Sequence, residues 1–336
     1  YLDPYINNKY IELMNNIKYK PYKSGDEYKH IDLMWNSSPH VRNIQYWNWI
    51  NNKFWGGRAI IQYAFDRDLI IGSYVVHPIS LFFDNNNIKA GFGTQLLIHD
   101  KYRSLEILKG LNDGLMELCD SSGIEFIYGF PNNSIWDINL KFFQWNDIGK
   151  INYYECDLDN IRINKSKYNV DIINKESINK LSPSINQNNT NIDSIVRFKK
   201  DNNWFNWRYF DNPLNHYKVF YVNAGKIGTG IIVTKYFHEN SLVIGHIVDI
   251  IISDNNHDIF DSLLSKMILD FRFIGVSKVS FWRTCNDWVK SSLLDKGFKE
   301  KEKYSNFGVR NLSYGDIEKV SNSDIWDVSM CNSDGF

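Results

Sequence analysis

Residues 88–129 decide the fold and read IKAGFGTQLLIHDKYRSLEILKGLNDGLMELCDSSGIEFIYG. They begin with a predicted strand from Ile88 to His99, which follows a polar turn. Ser104 to Ser121 carries leucines at helical spacing, and Gly123 is a typical residue for ending such a helix. Ile124 to Tyr128 is then a short buried strand. A strand, a helix and a second strand in this order predict a right-handed crossover between parallel neighbours.

The start of that helix is the first candidate binding site. The first-turn N–H groups of a helix have no partner within the helix, and the helix dipole favours an anion beside them. The segment from Asp100 to Ile107 is therefore predicted to bind phosphate.

Further predicted elements flank this crossover. Arg58 to Phe65 and Leu69 to Phe83 are rich in β-branched and aromatic residues, and the turn at residues 66–68 joins them as a hairpin. On the other side, Asn133 to Phe143 is predicted as a helix and Trp145 to Leu158 as an extended segment. The expected fold class is α/β, with a mixed, mostly antiparallel sheet flanked by helices.

The second half of the chain repeats this order of elements. It has a Trp-rich helix, a hairpin, a long strand, a helix ending at glycine, a short strand, a helix and a last strand. Matching positions lie 152 to 158 residues apart, in the pairs Trp49 and Trp207, Ile98 and Ile252, Gly123 and Gly275, and Trp145 and Phe298. This nearly constant offset predicts a duplicated domain.

The repeat sets the predicted domain limits. They are a polar helical lead at 1–25, a first domain at 26–158, a linker with one short helix at 159–195, a second domain at 196–315 and a tail at 316–336.

Composition excludes several classes of protein. The 336 residues include 38 basic and 39 acidic side chains, so a net charge of −1 gives no electrostatic case for a nucleic-acid or membrane-surface partner. Aromatic residues make up 15% of the chain, which excludes disorder as the main state. No run reaches the 18 apolar residues of a membrane span; the most apolar one, Leu69 to Phe83, is broken by Gly72, His77 and Pro78.

The four cysteines give no metal site. Cys119, Cys156, Cys285 and Cys331 form no CxxC pair and have no histidine at ligand spacing. They are interpreted as reduced thiols, and a cytoplasmic protein is expected.

Three motifs in this order carry a family resemblance. They are QLLIHDKYRSLEI at 95–107, IEFIYGFPNN at 124–133 and FFQW at 142–145. The chain resembles the GCN5-related N-acetyltransferases, in particular tandem members found in surface-polysaccharide and sugar biosynthesis. WFNWRY at 204–209 and the tail WDVSMCNSD at 326–334 extend the resemblance, which covers about residues 26–336.

The resemblance implies an acyl-CoA site, with acetyl-CoA as the expected cofactor. The pantetheine arm would pair with backbone groups of Leu97, Ile98 and His99, and the pyrophosphate would lie on the loop that carries Arg103. Asn133 would lie near the thiol end. The full set of expected cofactor contacts is Leu97, Ile98, His99, Arg103, Ser104, Leu105, Glu106, Ile107 and Asn133.

Each main assignment has a plainer alternative. Ser104, Leu105 and Glu106 stand where the family usually has Gly, any residue and Gly, and glycine lets the backbone approach phosphate closely. Arg103 is either a phosphate ligand or a surface charge beside Asp100. Asn133 is either a cofactor contact or a helix N-cap.

The catalytic candidates follow from the same resemblance. Tyr154 lies on the strand where related enzymes often carry a proton donor, and Gln95 could orient an amine or a water molecule. Asp249 is equivalent to Gln95 in the second half, where it could act as a base or simply bond to Arg283 or Trp282. The second half lacks an Arg–Gly loop and is expected to bind no cofactor.

The expected function is acyl-CoA-dependent N-acylation of a small-molecule amine, most specifically acetyl transfer to an amino sugar or nucleotide-sugar. One alternative is a catalytically silent protein that binds a small molecule or a partner. A tRNA-dependent aminoacyl transferase is a third possibility, but the net charge argues against the basic channel it needs. No metal is expected in the reaction.

Overall fold

A computed structural model describes residues 16–37, 42–180, 195–285 and 287–335. Within these residues, the first half contains six strands and four α-helices. The strands are β1 (Ile17–Pro21), β2 (Ile60–Asp66), β3 (Leu69–Phe83), β4 (Asn86–Ile98), β5 (Phe126–Gly129) and β6 (Trp145–Asp157). The helices are α1 (Glu27–Ser37), α2 (Ile44–Trp47), which continues as a π-helix (Asn48–Asn52), α3 (Leu105–Ser121) and α4 (Asn133–Phe142).

The second half follows the same order after a linker segment. Its strands are β7 (Asp171–Ile173), β8 (Arg197–Phe198), β9 (Lys218–Asn223), β10 (Thr229–Glu239), β11 (Leu242–Ile252), β12 (Lys278–Trp282) and β13 (Lys299–Asn311). Its helices are α5 (Asn202–Phe205), which continues as a π-helix (Asn206–Phe210), α6 (His257–Ile274) and α7 (Trp288–Asp295).

One sheet runs through both halves. Within the described residues its order is β1-β2-β3-β4-β5-β13-β6-β12-β11-β10-β9-β7, and β8 pairs with β3. The predicted α/β class with a mixed, mostly antiparallel sheet is therefore confirmed, and helices cover its faces.

The two halves exchange their last strands. β13, from the second half, pairs with β5 of the first, and β6, from the first half, pairs with β12 of the second. β6 and β13 also pair with each other, antiparallel, at the centre of the sheet. A cut between residues 158 and 196 would therefore not separate two complete sheets.

The predicted crossover is present. β4 and β5 are parallel neighbours joined by α3, and β11 and β12 are parallel neighbours joined by α6. The Ser104 side chain caps α3 by accepting a hydrogen bond from the Ile107 N–H at 3.3 Å. Ile107, Leu111 and Leu115 face the sheet and are buried because the leucine spacing puts them on one side of the helix.

The prediction of a helical lead at residues 1–25 is wrong over the part that the structure describes. Residues 1–15 lie outside the described residues, but residues 17–21 of the expected helical lead form β1, antiparallel to β2. Lysines alternate with Ile17 and Tyr19 there, which is the pattern of an edge strand. Helix α1 was not predicted, and its His30 is buried.

A large aromatic core joins the halves. Four tryptophans near the starts of the two halves are buried: Trp47, Trp49, Trp204 and Trp207. Trp49 and Trp207 belong to the same cluster, which also holds Trp326 from the tail. The core therefore holds the two halves together as well as packing each one.

Candidate functional site

The candidate site lies where β4 and β5 part. Their parallel ladder runs from Ala90 and Phe126 to Phe92 and Tyr128 and then stops, although β4 continues to Ile98. A cavity of about 280 Å³ opens beyond this point. Its walls come from β3, β4, β5 and the segment after it, α4, β6, the segment before α2, and the tail: Arg42, Tyr74, Phe92, Gly93, Thr94, Gln95, Leu96, Leu97, Gly129, Phe130, Pro131, Asn132, Ile135, Asn139, Trp145 and Asp334.

Two glycines shape the apex of the cavity. A Cβ atom on Gly129 would lie 3.2 Å from the Gly93 carbonyl oxygen and 3.1 Å from Trp145 Cη2. A Cβ atom on Gly93 would lie 3.2 Å from Ile127 Cγ2. The two backbones therefore come close at the apex without side chains between them, and the space opens along β4.

A bulge in β4 turns Gln95 into the site. Gln95 has φ of +49°, and the register between β3 and β4 shifts by one residue there. In a regular strand Gln95 and Thr94 would point to opposite faces. Here the Gln95 amide contacts His77, while His77 lies near Phe92, which shares the face of Thr94. The bulge thus brings two adjacent polar side chains to one side.

Buried polar atoms without partners surround the cavity. Among the described residues, Gln95 Oε1, Asn139 Oδ1 and Trp145 Nε1 have no hydrogen-bond partner, and all three residues line the cavity. Leaving such a group unsatisfied costs about 1–3 kcal/mol. This set, one N–H donor and two oxygen acceptors, suits a ligand that carries amide groups.

Asp334 brings a carboxylate to the cavity from the far end of the chain. Its Oδ2 accepts a hydrogen bond from the Thr94 hydroxyl at 3.1 Å. Arg208 holds the tail that carries it, because its Nε donates to the Cys331 carbonyl at 2.9 Å and its Nη2 to the Ser333 carbonyl at 3.1 Å. Arg208 is buried, with a third bond to Tyr217 Oη at 3.0 Å. Sequence reasoning missed Asp334, since 240 residues separate it from Thr94.

The predicted cofactor residues divide into two groups. Leu97 lines the cavity, as does Gln95, which was predicted as a catalytic residue. Ile98 is buried and pairs with Gly72, while the His99 Nδ1 accepts from the Lys101 N–H at 3.3 Å. These two residues and the 103–107 segment continue from β4 but do not line the cavity.

Arg103 has the partner of its plainer alternative, whereas Asn133 is not the predicted N-cap. Arg103 forms an exposed ion pair with Asp100 at 2.7 Å. The N-cap of α4 is Asn132, which also lines the cavity, and not Asn133. The Asn133 Oδ1 instead accepts from the Asn306 Nδ2 at 3.0 Å.

Tyr154 lies in the other half of the sheet from the cavity. Its ring stacks on Phe281 with centroids 4.8 Å apart, and its hydroxyl donates to Glu300 Oε2 at 3.3 Å. It belongs to the core that packs under α6 and is not among the residues that line the cavity.

Asp249 is buried in a charged network. Lys200 Nζ lies 2.9 Å from both carboxylate oxygens, and Tyr209 and Ser329 each donate a hydroxyl hydrogen bond at 3.2 Å. Burial opposes the charge on Lys200, but the adjacent Asp249 outweighs it and raises the pKa of Lys200 above its ordinary value. Arg283, a predicted partner, pairs instead with Asp287 and Asp327.

The tail lies at the corresponding place in the second half. There the parallel ladder ends at Ile247 and Phe281, and beyond it Ser329 forms a bridge with Arg283. The Thr284 N–H donates to the Val328 carbonyl at 3.2 Å. The chain's own residues thus fill the position that is a cavity in the first half.

The described part of the chain has neither a membrane-spanning helix nor a cluster of metal ligands. None of its helices is long and apolar enough to cross a lipid bilayer. It also contains no group of three or more His, Cys, Asp or Glu side chains that could hold a metal ion.

Comparison by sequence finds no matching family model and no matching curated protein. Comparison by structure does find matches. A probable N-acyltransferase from Enterococcus faecalis V583, described as a conserved protein of unknown function, has a TM-score of 0.68 and 10% identity, with 89% of this chain and 73% of that chain covered.

Two further structures extend the comparison. A GCN5-related N-acetyltransferase from Anabaena variabilis has a TM-score of 0.64 and 11% identity, covering 88% of this chain and 72% of that one. N-myristoyltransferase from Saccharomyces cerevisiae, with bound myristoyl-CoA, has a TM-score of 0.58 and 11% identity, covering 88% and 79%. This chain therefore has the fold of solved GCN5-related N-acetyltransferases.

Proposed function

We propose that the protein is an acyl-CoA-dependent N-acyltransferase, with acetyl-CoA as its donor. The observation that carries the proposal is the cavity at the point where β4 and β5 part, with unpartnered polar atoms in its wall. A parallel pair that stops at Phe92 leaves the rest of β4 without β5 beside it, so β4 offers backbone groups to an extended ligand.

The pantetheine arm would lie along Gly93 to Leu97. Its two amides both donate and accept hydrogen bonds, and Trp145 Nε1 and Asn139 Oδ1 supply one group of each kind. The pyrophosphate would follow the chain towards α3, where Arg103 and the first-turn N–H groups favour an anion. In this proposal Arg103 exchanges Asp100 for phosphate.

Asp334 would accept the proton in the reaction. The amine nitrogen attacks the thioester carbonyl carbon, a C–N bond forms, and the C–S bond breaks as the sulfur leaves with its electron pair. The nitrogen loses one proton to the Asp334 carboxylate, and the thiolate takes up one proton. Asp334 is the one carboxylate among the residues that line the cavity, and Thr94 fixes its orientation.

The acceptor would be a small primary amine. An amino sugar or nucleotide-sugar is the class that the sequence resemblance suggests. Tyr154 and Asp249 have no role in this proposal, because neither lines the cavity.

The test is acyl transfer, followed by release of the CoA thiol, in wild type and in Asp334→Asn. General base catalysis contributes about 10²–10⁴-fold, so kcat/KM should fall by at least about 100-fold while acetyl-CoA affinity is kept. Asp324→Asn, an exposed carboxylate of the same tail, is the matched control and should behave as wild type. The proposal is contradicted if wild type binds no acetyl-CoA, or if Asp334→Asn retains full activity.

A further inference from the structure

A second polar cluster adjoins the cavity on the side of Thr94 and Asp334. It consists of Asn51, His77 and Gln95, which come from the π-helix after α2, from β3 and from the bulge of β4. Their exposed fractions are 1%, 0% and 9%. Only Gln95 reaches the cavity wall, so the other two lie behind it.

The contacts within the cluster leave some of its polar atoms without a hydrogen-bond partner. Gln95 Nε2 lies 3.4 Å from Asn51 Oδ1 and 3.5 Å from His77 Nε2, both at the limit of a hydrogen bond. Asn51 Nδ2, His77 Nδ1 and Gln95 Oε1 have no partner among the described residues. Exchanging nitrogen and oxygen in both amides leaves Asn51 Oδ1, Gln95 Nε2 and again His77 Nδ1 unpartnered, so the count of three does not depend on that assignment.

The cluster is neutral. Burial lowers the pKa of His77 to about 3, so its imidazole carries one donor and one acceptor at physiological pH. Phe54 stacks on the His77 ring with centroids 4.6 Å apart, which closes the opposite face with an apolar group. A charged group placed there would lose its hydration without gaining a counter-ion from these three side chains.

We propose that Gln95, with Asn51 and His77 behind it, recognises a neutral hydroxyl or amide group of the acceptor amine. Such a group both donates and accepts, which the cluster requires whichever way the two amides are placed. The cluster lies on the side of Asp334, so the recognised group would be held beside the amine that attacks. This inference rests on the proposed acyl transfer and adds the chemical class of the acceptor.

The probes are four small amines with acetyl-CoA as donor. Ethanolamine carries a hydroxyl, glycinamide an amide, propylamine a methyl group in place of the hydroxyl, and glycine a carboxylate. The kcat/KM values are compared per unprotonated amine, since the four amines differ in basicity. Wild type should prefer ethanolamine and glycinamide to propylamine and to glycine by at least about tenfold.

Gln95→Met is the test variant, since it keeps the length of the side chain and removes both polar atoms. The preference for ethanolamine over propylamine should fall by about tenfold or more. The melting temperature without ligand should change by less than about 3 °C, because the unsatisfied Gln95 Oε1 is removed while Asn51 Oδ1 and His77 Nε2 lose only contacts at the limit of a hydrogen bond. Ser262→Ala is the control, because the Ser262 hydroxyl is buried and satisfied by Lys167, Tyr168 and Asp258; it should lower the melting temperature and leave the preference unchanged.

The ratio of the kcat/KM values for ethanolamine and propylamine tests the inference most directly. It is overturned if wild type prefers propylamine or glycine, if it binds acetyl-CoA and acetylates none of the four amines, or if Gln95→Met keeps the wild-type ratio. Absence of acetyl-CoA binding is a different result, which overturns the proposed function itself.

Discussion

Trp49 and Trp207 stack on each other and exchange hydrogen bonds. Their ring centroids are 4.8 Å apart and their planes differ by 9°. The Trp49 indole N–H donates to the Trp207 carbonyl at 2.8 Å, and the Trp207 N–H donates to the Trp49 carbonyl at 3.1 Å. Each lies in a π-helix, at the second residue of Asn48–Asn52 and of Asn206–Phe210. The two halves therefore meet through equivalent residues in a reciprocal arrangement.

Replacing one of these two tryptophans should lower the stability of both halves together. Trp49→Phe removes one N–H, leaves the Trp207 carbonyl unpaired and reduces the stack, so it should lower the free energy of unfolding by about 2 kcal/mol in urea denaturation. The double variant with Trp207→Phe should lose less than the sum of the single changes. Strictly additive losses would show that the two rings do not stabilise each other.

Lys200 and Asp249 should behave as a buried ion pair. Lys200→Met leaves the Asp249 carboxylate buried without its counter-ion and should lower the free energy of unfolding by about 3–5 kcal/mol. Lys319→Met, which breaks an exposed pair with Asp316 of the same 2.9 Å length, should change it by less than about 1 kcal/mol. Equal effects of the two changes would contradict the assignment of Asp249 to a structural network.

Acidification should begin to destabilise the protein at pH values above those at which carboxylates titrate. Burial lowers the pKa of His30, His77 and His246 to about 3 in the folded chain, whereas an unfolded histidine has a pKa near 6.5. The unfolded state therefore binds more protons below pH 6.5, and stability present above that value is lost as pH falls towards 3.

Between pH 6 and pH 5 this linkage should lower the free energy of unfolding by about 1.2 kcal/mol for each of the three residues. Denaturant titrations at the two pH values measure it. The variant His246→Asn should reduce the difference by about a third. A free energy of unfolding that does not change between these pH values would refute the linkage.

Replacing Arg103 should weaken the binding of donors that carry the pyrophosphate and should not change the binding of donors that lack it. If it binds the pyrophosphate, Arg103→Ala should weaken acetyl-CoA binding by about tenfold, because a charge-assisted hydrogen bond is lost. Binding of S-acetylpantetheine, which lacks the pyrophosphate, should not change. Arg162→Ala, an exposed arginine of the linker, is the control. Unchanged acetyl-CoA affinity in Arg103→Ala would leave Arg103 as a surface partner of Asp100.

Elements with strong local patterns could be predicted from the sequence. The bounds of β3 agree residue for residue with the predicted strand from Leu69 to Phe83, since it is an apolar run between turn residues. The parallel pairing of β4 and β5 was also predicted, because it depends on a local crossover. The strand exchange could not be predicted, since β6 and β13 have the same local pattern whichever neighbour they pair with.

The candidate site was harder to predict than the fold. Gln95 and Leu97 lie on the strand that the sequence singled out, and both line the cavity. Asp334 enters through a tail fixed by Arg208, and no local pattern marks a residue whose contact is 240 positions away. Tyr154 was assigned to the first half by chain order, whereas the strand exchange places it under α6.

The central claim is that the cavity between β4 and β5 binds the acyl donor, and isothermal titration with acetyl-CoA tests it most directly. The account predicts one molecule per chain, since the tail fills the corresponding place in the second half. It also predicts at least a tenfold loss of affinity in Gly93→Val, whose side chain would fill the apex of the cavity beside Ile127. Absence of binding, two molecules per chain, or full affinity in a folded Gly93→Val variant would contradict it.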